Sequence, residues 1–242
     1  MPSDDPLGTA CRLEGVPSAL AAARDGIDSL LRDRGHRRTT PAVTADALLH
    51  GAVASARLAG GSSTLEEVRR GAGDALAQSA VRLNAALLSL APVLARSPLQ
   101  ALARMHTLAA TGLAPPQDLG RPRADPAAVR AVQRLATDLL TPTAAPAIAV
   151  ASVAHAELVV AAPFAVANDL VARAMERLVL VIRGVDPASV LVPEAGHWLM
   201  GSRYREALDD YREHGVAGCR AWLLYSCVAL TTGVAESPLP RL

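Results

Sequence analysis

Between Ala144 and Ala167 the chain is almost wholly apolar, and from Asn168 it turns polar at helical spacing. A stretch of that length either crosses a membrane or lies inside a folded core. His155 and Glu157 near its middle, with prolines at 146 and 163, argue for the core. A carboxylate at the centre of a spanning helix costs about 2–3 kcal/mol. The stretch therefore reads as a buried helix that breaks at Ala162-Pro163-Phe164, restarts at Asn168-Asp169 and runs to Arg183-Gly184.

The core around such a helix is built from small side chains, because the chain is 51% hydrophobic but only 2% aromatic. That balance favours closely packed helices over a sheet sandwich. No run alternates apolar and polar residues as a strand does, and no repeat recurs at solenoid spacing. Residues 1–15, with Pro2, Pro6, Gly8 and Gly15, read as a flexible leader to a single helical unit over 16–242. The pattern predicts a first helix from Pro17-Ser18, with Leu20, Ala23, Ile27, Leu30 and Leu31 on one face and a Gly35 cap among basic residues. Further helices are expected from Thr44 to Leu58, at a Ser63-Thr64-Leu65-Glu66 capping box, and over Asp74–Leu90, Ser97–Ala110 and Asp125–Leu140. Amphipathic helices over Tyr204–Glu213 and Val216–Thr232 close an all-α chain.

Formal net charge is +1, from 24 basic and 23 acidic residues, so no global field draws nucleic acid or a membrane surface. The basic run Arg32–Arg38 lacks interleaved aromatics and suits a helix C-terminus. Cys11, Cys219 and Cys227 form no CxxC pair, which reads as reduced thiols in the cytoplasm. The acidic start MPSDDPLG is not that of a signal peptide.

An apolar helix, a short loop and a helix with a polar start resemble the core of the Fic (Fido-fold) family, whose signature is HPFxxGNGRxxR. Laid over residues 162–173, the signature meets Pro163, Phe164, Asn168 and Arg173. The resemblance spans about residues 40–185 and implies a Fic-like helical bundle with C-terminal helices over 186–235. It is similar to degenerate Fic-like proteins of high-GC, actinobacterial-type bacteria. Members of the family transfer the nucleotidyl group of ATP to a target hydroxyl. That chemistry needs a base, a cation across the phosphates and N–H donors around them. Here Ala162 stands in place of the base and Val166 in place of the metal carboxylate. Ala167 and Asp169 replace two glycines, and Leu170 replaces the phosphate-binding arginine. A Cβ at those glycine positions opposes curling of the backbone around an anion. Ser55–Gly60 is similar to the family's inhibitory motif, S/T-x-x-x-E-G/N, with Ala59 in place of the glutamate that pairs with the second signature arginine.

The resulting expectation is a catalytically degenerate Fic-like protein that acts by binding, as a scaffold or regulatory partner, with no cofactor and no metal. One alternative is an enzyme with repurposed chemistry on a small anionic ligand held by Asn168, Asp169, Arg173, Arg121 and Arg123; residual nucleotidyl transfer is a third. Asn168 is also a good helix N-cap, and Arg173 can pair with Asp169 one turn earlier. His155 reads as a buried histidine bonded to a backbone carbonyl, with Glu157 on a different face. Trp198, Tyr204 and Tyr211 mark a candidate surface for a protein partner or self-association.

Overall fold

The computed structural model describes residues 5–32 and 39–239. Twelve α-helices and no strand lie among them. They are α1 (Pro6–Ala10), α2 (Val16–Leu30), α3 (Pro41–Leu58), α4 (Leu65–Arg69), α5 (Ala75–Leu94), α6 (Pro98–Ala110), α7 (Pro126–Leu140), α8 (Ala147–Ala161), α9 (Asn168–Ile182), α10 (Pro193–Leu199), α11 (Arg203–Glu213) and α12 (Gly215–Ala235). The expected Gly35 cap and the basic cluster around it, apart from Arg32, fall on residues 33–38, outside the described residues.

Helix starts follow local chemistry. Asp74 and Asp125 cap α5 and α7, and Pro98 and Pro126 open α6 and α7 where a missing N–H leaves no bond unmade. Two starts differ from expectation. Thr40 caps α3, while the Thr44 hydroxyl donates to the Ala188 carbonyl at 2.9 Å. The capping box is Thr64 with Glu67, one residue beyond the expected pair, because Thr64 is the last residue with extended backbone. The expected leader is also partly ordered. Asp5 caps α1 by accepting from Gly8 N–H at 2.8 Å, and it accepts from Ala144 N–H, also at 2.8 Å, which ties α1 to the linker before α8.

Helix α9 is the axis of the bundle. From Leu170 to Leu180 every residue is buried, and α8, α5, α6, α3 and α10 pack around it. Helix α5 is long and apolar enough to cross a membrane, but here it packs against α3, α6 and α9. The expected C-terminal helices are present, and α10 precedes them. Pro193 and Gly196 read as interruptions in the sequence. In the fold Pro193 opens α10 and Gly196 lets it lie on α12. A second cluster, of Tyr204, Leu208, Trp222 and Tyr225 around Ala156, docks α11 and α12 on α8, and the Trp222 indole N–H donates to the Ser152 carbonyl at 2.8 Å.

A Cβ at Gly196 would lie 2.0 Å from the Ala229 carbonyl oxygen, so the α10–α12 contact admits only glycine there. Gly196→Ala should lower stability by roughly 2–4 kcal/mol in urea unfolding. Gly26→Ala, in helical backbone where the nearest atom to a new Cβ is 3.9 Å away, should raise it by about 0.5–1 kcal/mol. Equal effects of the two changes would contradict this packing.

Candidate functional site

Three charged residues of α9, at helical positions i, i+3 and i+4, are fully buried: Arg173, Glu176 and Arg177. Each is met by a different part of the fold. Arg173 reaches α3, donating from Nε to Ser55 Oγ at 2.8 Å and from Nη2 to the Ser55 carbonyl at 2.9 Å; Nη1 donates to the Tyr204 hydroxyl at 3.3 Å. Arg177 forms a two-pronged pair with Glu194 of α10, at 3.0 and 2.6 Å, and also donates to Ser189 Oγ at 3.0 Å. Glu176 takes both histidines. Its Oε2 accepts from His155 Nδ1 at 2.8 Å and from His197 Nε2 at 2.9 Å.

The outer nitrogens of these rings complete a chain. Tyr204 O–H donates to His155 Nε2 at 2.8 Å, and the Tyr225 hydroxyl and His197 Nδ1 share a hydrogen bond of 3.0 Å. Tyr204 both accepts from Arg173 and donates to His155, so the chain runs unbroken from a buried cation to a buried carboxylate. Burial holds the His155 pKa down, which keeps the ring neutral, and the bonds to Glu176 and Tyr204 set its tautomer. Burial pushes the Glu176 carboxyl up, but His197 and His155 together pull it below the usual carboxylate range. Burial also pushes the Tyr204 hydroxyl up to about 12, so it stays a donor.

His155, Glu176 and His197 are also a set able to hold a metal, with ligand atoms within 4.8 Å of one another. Two nitrogens on one zinc ion are at most about 4.2 Å apart at bond lengths of about 2.1 Å. The present triangle is that of one carboxylate oxygen accepting two N–H groups, and seating an ion would require the rings to close in. Arg173 adds a second obstacle, since a divalent ion would add charge beside a buried guanidinium.

The signature loop lies at the start of the same helix. Ala162 and Ala167 both adopt left-handed backbone, φ 41° and φ 55°, so the chain curls at 167 although alanine stands at that glycine position. Asp169 is an ordinary residue of the first turn of α9. The N-cap of α9 is Ala167; Asn168 turns back into the loop instead, donating from Nδ2 to the Leu158 carbonyl at 2.9 Å and accepting from Phe164 N–H at 3.3 Å. Phe164 is buried and stacks on the His106 ring with centroids 4.1 Å apart. Arg123 crosses above, its backbone N–H donating to the Pro163 carbonyl at 2.8 Å and its Nε to the Ala162 carbonyl at 3.0 Å.

The chain as a whole, a bundle built on α9, superposes on a Fic family protein from Desulfovibrio desulfuricans with a TM-score of 0.73. Identity is 20%, and the match covers 90% of this chain and 73% of that one. Fic-1 from C. elegans matches with a TM-score of 0.63 at 16% identity, over 91% of this chain and 71% of that one. The chain has a Fic fold. No protein-family model matches it, and no curated protein does.

Within the Fic fold, the five residues expected to share a ligand differ in burial. Asn168 and Arg173 are buried in separate bonding sets, while Asp169, Arg121 and Arg123 are exposed. Arg173 does not pair with Asp169; it bonds Ser55, the first residue of the segment similar to the family's inhibitory motif. Leu170 is buried in the core, and Val166 is half-buried. His155 is buried as expected, but Glu176 and Tyr204 hold it rather than a backbone carbonyl. Of the expected partner surface, Trp198 is 43% exposed, Tyr204 is buried, and Tyr211 is half-buried and donates to Glu157 at 2.6 Å. Glu176 escaped sequence reasoning, and His197 and Tyr225 stood out only as neighbours of the expected partner surface, not as members of a buried chain. The visible trace was three charges in the otherwise apolar helix Leu170–Ile182.

Two outcomes follow from this geometry. The left-handed backbone at Ala167 is less strained for glycine, so Ala167→Gly should raise stability by about 0.5–1 kcal/mol in urea melts despite the looser unfolded chain. His155 and His106 are both held by burial below the ordinary value of 6.5. Stability from their neutral rings is complete above about pH 6.5 and drains as pH falls, because the unfolded chain takes protons that the fold refuses. Glu176 acts in the same sense below the ordinary 4.5, where its unfolded carboxyl begins to protonate. Unfolding free energy should fall between pH 7 and 5 by up to about 1.4 kcal/mol per unit per histidine, and less steeply in His155→Gln. A flat profile would refute the neutral-ring chain.

Proposed function

We propose that this Fic-fold chain does not transfer nucleotides and acts by binding, as a scaffold or regulatory protein. One observation carries the reading: the two polar signature residues that persist are consumed by the fold. Asn168 closes its own loop, and Arg173, 1% exposed, anchors α9 to α3 and α11. With Ala162 there is no proton acceptor at the base position, and with Val166 no oxygen for Mg²⁺. Loss of a pairing glutamate at Ala59 agrees with this, since a site that holds no ATP needs no inhibitor. The binding face we favour is the end of α10, where Trp198 is 43% exposed and Leu199 55% exposed, with the Arg57 guanidinium 5.9 Å from the Trp198 ring centroid. Free thiols at Cys11, Cys219 and Cys227 suit a reducing cytoplasm.

Calorimetric titration with ATP and MgCl₂ should give no magnesium-dependent binding up to millimolar nucleotide, and incubation with labelled ATP should leave the protein unlabelled. Magnesium-dependent binding, or self-labelling that Arg173→Lys abolishes, would overturn the proposal.

A further inference from the structure

Helix α8 presents two faces with different chemistry. His155 points into the buried chain, whereas Val150, Val153, Ala154 and Glu157, at positions i, i+3, i+4 and i+7, line a cavity of about 320 Å³. Helices α7, α11 and α12 supply the other walls, and α1 forms the roof. The volume lies at the small end of ligand pockets, which run from about 300 to 1,000 Å³. Leu135, Leu139 and Val153 make the interior apolar.

The polar groups are of one sign. Asp5, Asp138 and Glu157 reach this cavity, and no arginine is among its lining residues. Asp5 is already saturated: Gly8 N–H, Ala144 N–H and the Thr143 hydroxyl all donate to it. Those bonds, led by the one from Gly8, hold its carboxyl below the usual range, so it stays charged while latching the roof. Asp138 is exposed at the rim, whereas Glu157 is half-buried in the wall. Tyr211 O–H donates to its Oε1 at 2.6 Å and sets its orientation, while Oε2 has no hydrogen bond among the described residues. A half-buried carboxylate beside an apolar volume, oriented but not neutralised, is the complement of a cation with a hydrocarbon tail.

We propose that this cavity binds a small organic ammonium ion, an amine with a compact hydrocarbon body. The ammonium donates to Glu157 Oε2, and the body lies among Leu135, Leu139 and Val153. An isosteric alcohol lacks the charge, and a carboxylate is repelled by Asp138 and Glu157. The inference is independent of the nucleotide question, because the cavity is on the opposite face of α8 from the His155 chain.

Phenylbutylamine, phenylbutanol and phenylbutyrate, titrated into the full chain by calorimetry with thermal melts in parallel, separate the possibilities. The amine should bind and raise Tm, at least tenfold more tightly than the alcohol, with no binding of the carboxylate. Glu157→Gln keeps an acceptor for Tyr211 and should weaken the amine at least tenfold. Val153→Phe should abolish binding by filling the cavity, with helical circular dichroism unchanged. Equal affinity for amine and alcohol, an unaffected Glu157→Gln, or no amine binding at millimolar concentration would each overturn the proposal. Should either variant fail to fold, the three-ligand series on the unaltered chain still decides it.

Discussion

The fold depends on making three buried charges on one helix acceptable. An unpaired ion in a core of aliphatic side chains would cost several kcal/mol. Glu176 sits one turn after Arg173 on α9, and the two are joined through Tyr204 and His155 rather than by direct contact. The polar groups that solve this problem come from α3, α8, α10 and α11, and Tyr225 of α12 supports the second histidine. The helices that surround α9 are therefore positioned by hydrogen bonds with defined directions as well as by apolar packing. In a core poor in large side chains those bonds specify which helix goes where. Aliphatic contacts alone would tolerate small slides between helices.

That requirement bears on the fate of the signature loop. Groups that grip a triphosphate must face a cleft and stay free, and here the retained ones face inward. Arg173 is needed by Tyr204 and Ser55, and Asn168 by Phe164 and Leu158. Left-handed residues at 162 and 167 keep the turn, although alanine is less comfortable there than glycine by about 1–2 kcal/mol. The turn persists because Asn168 and Arg123 bond to it from either side.

How much of this was legible in the sequence follows from the range of each interaction. Caps and prolines act within four residues, so α6 and α7 could be read to the residue and the capping box at Thr64 to within one. Helix α1 escaped because five residues carry no periodicity; what holds it is Asp5 bonding to residues 143 and 144. Helix α10 escaped because glycine looks the same in sequence whether it ends a helix or makes room for one. Gly196 makes room for Ala229, 33 positions later, and only the fold reveals that. The site shows the same divide. That neither Ala162 nor Val166 carries a proton acceptor or a metal-binding oxygen was readable directly. The His155–Glu176–His197 arrangement was not, because its members lie 21 residues apart and nothing local links them.

Helix α8 shows why an apolar segment need not be chemically silent. Its two polar residues, His155 and Glu157, stand two positions apart and therefore on different faces. One is sealed into the charge chain, where both its ring nitrogens are hydrogen-bonded. The other is left in a wall with one oxygen engaged by Tyr211 and one unclaimed. The membrane-like character of this segment thus reflects service to two interiors at once, a dry core around α9 and a small cavity under α1. The polar residue in each is placed by what it faces. His155 is fixed by the demands of stability, and Glu157 is the one whose bonding the fold leaves incomplete.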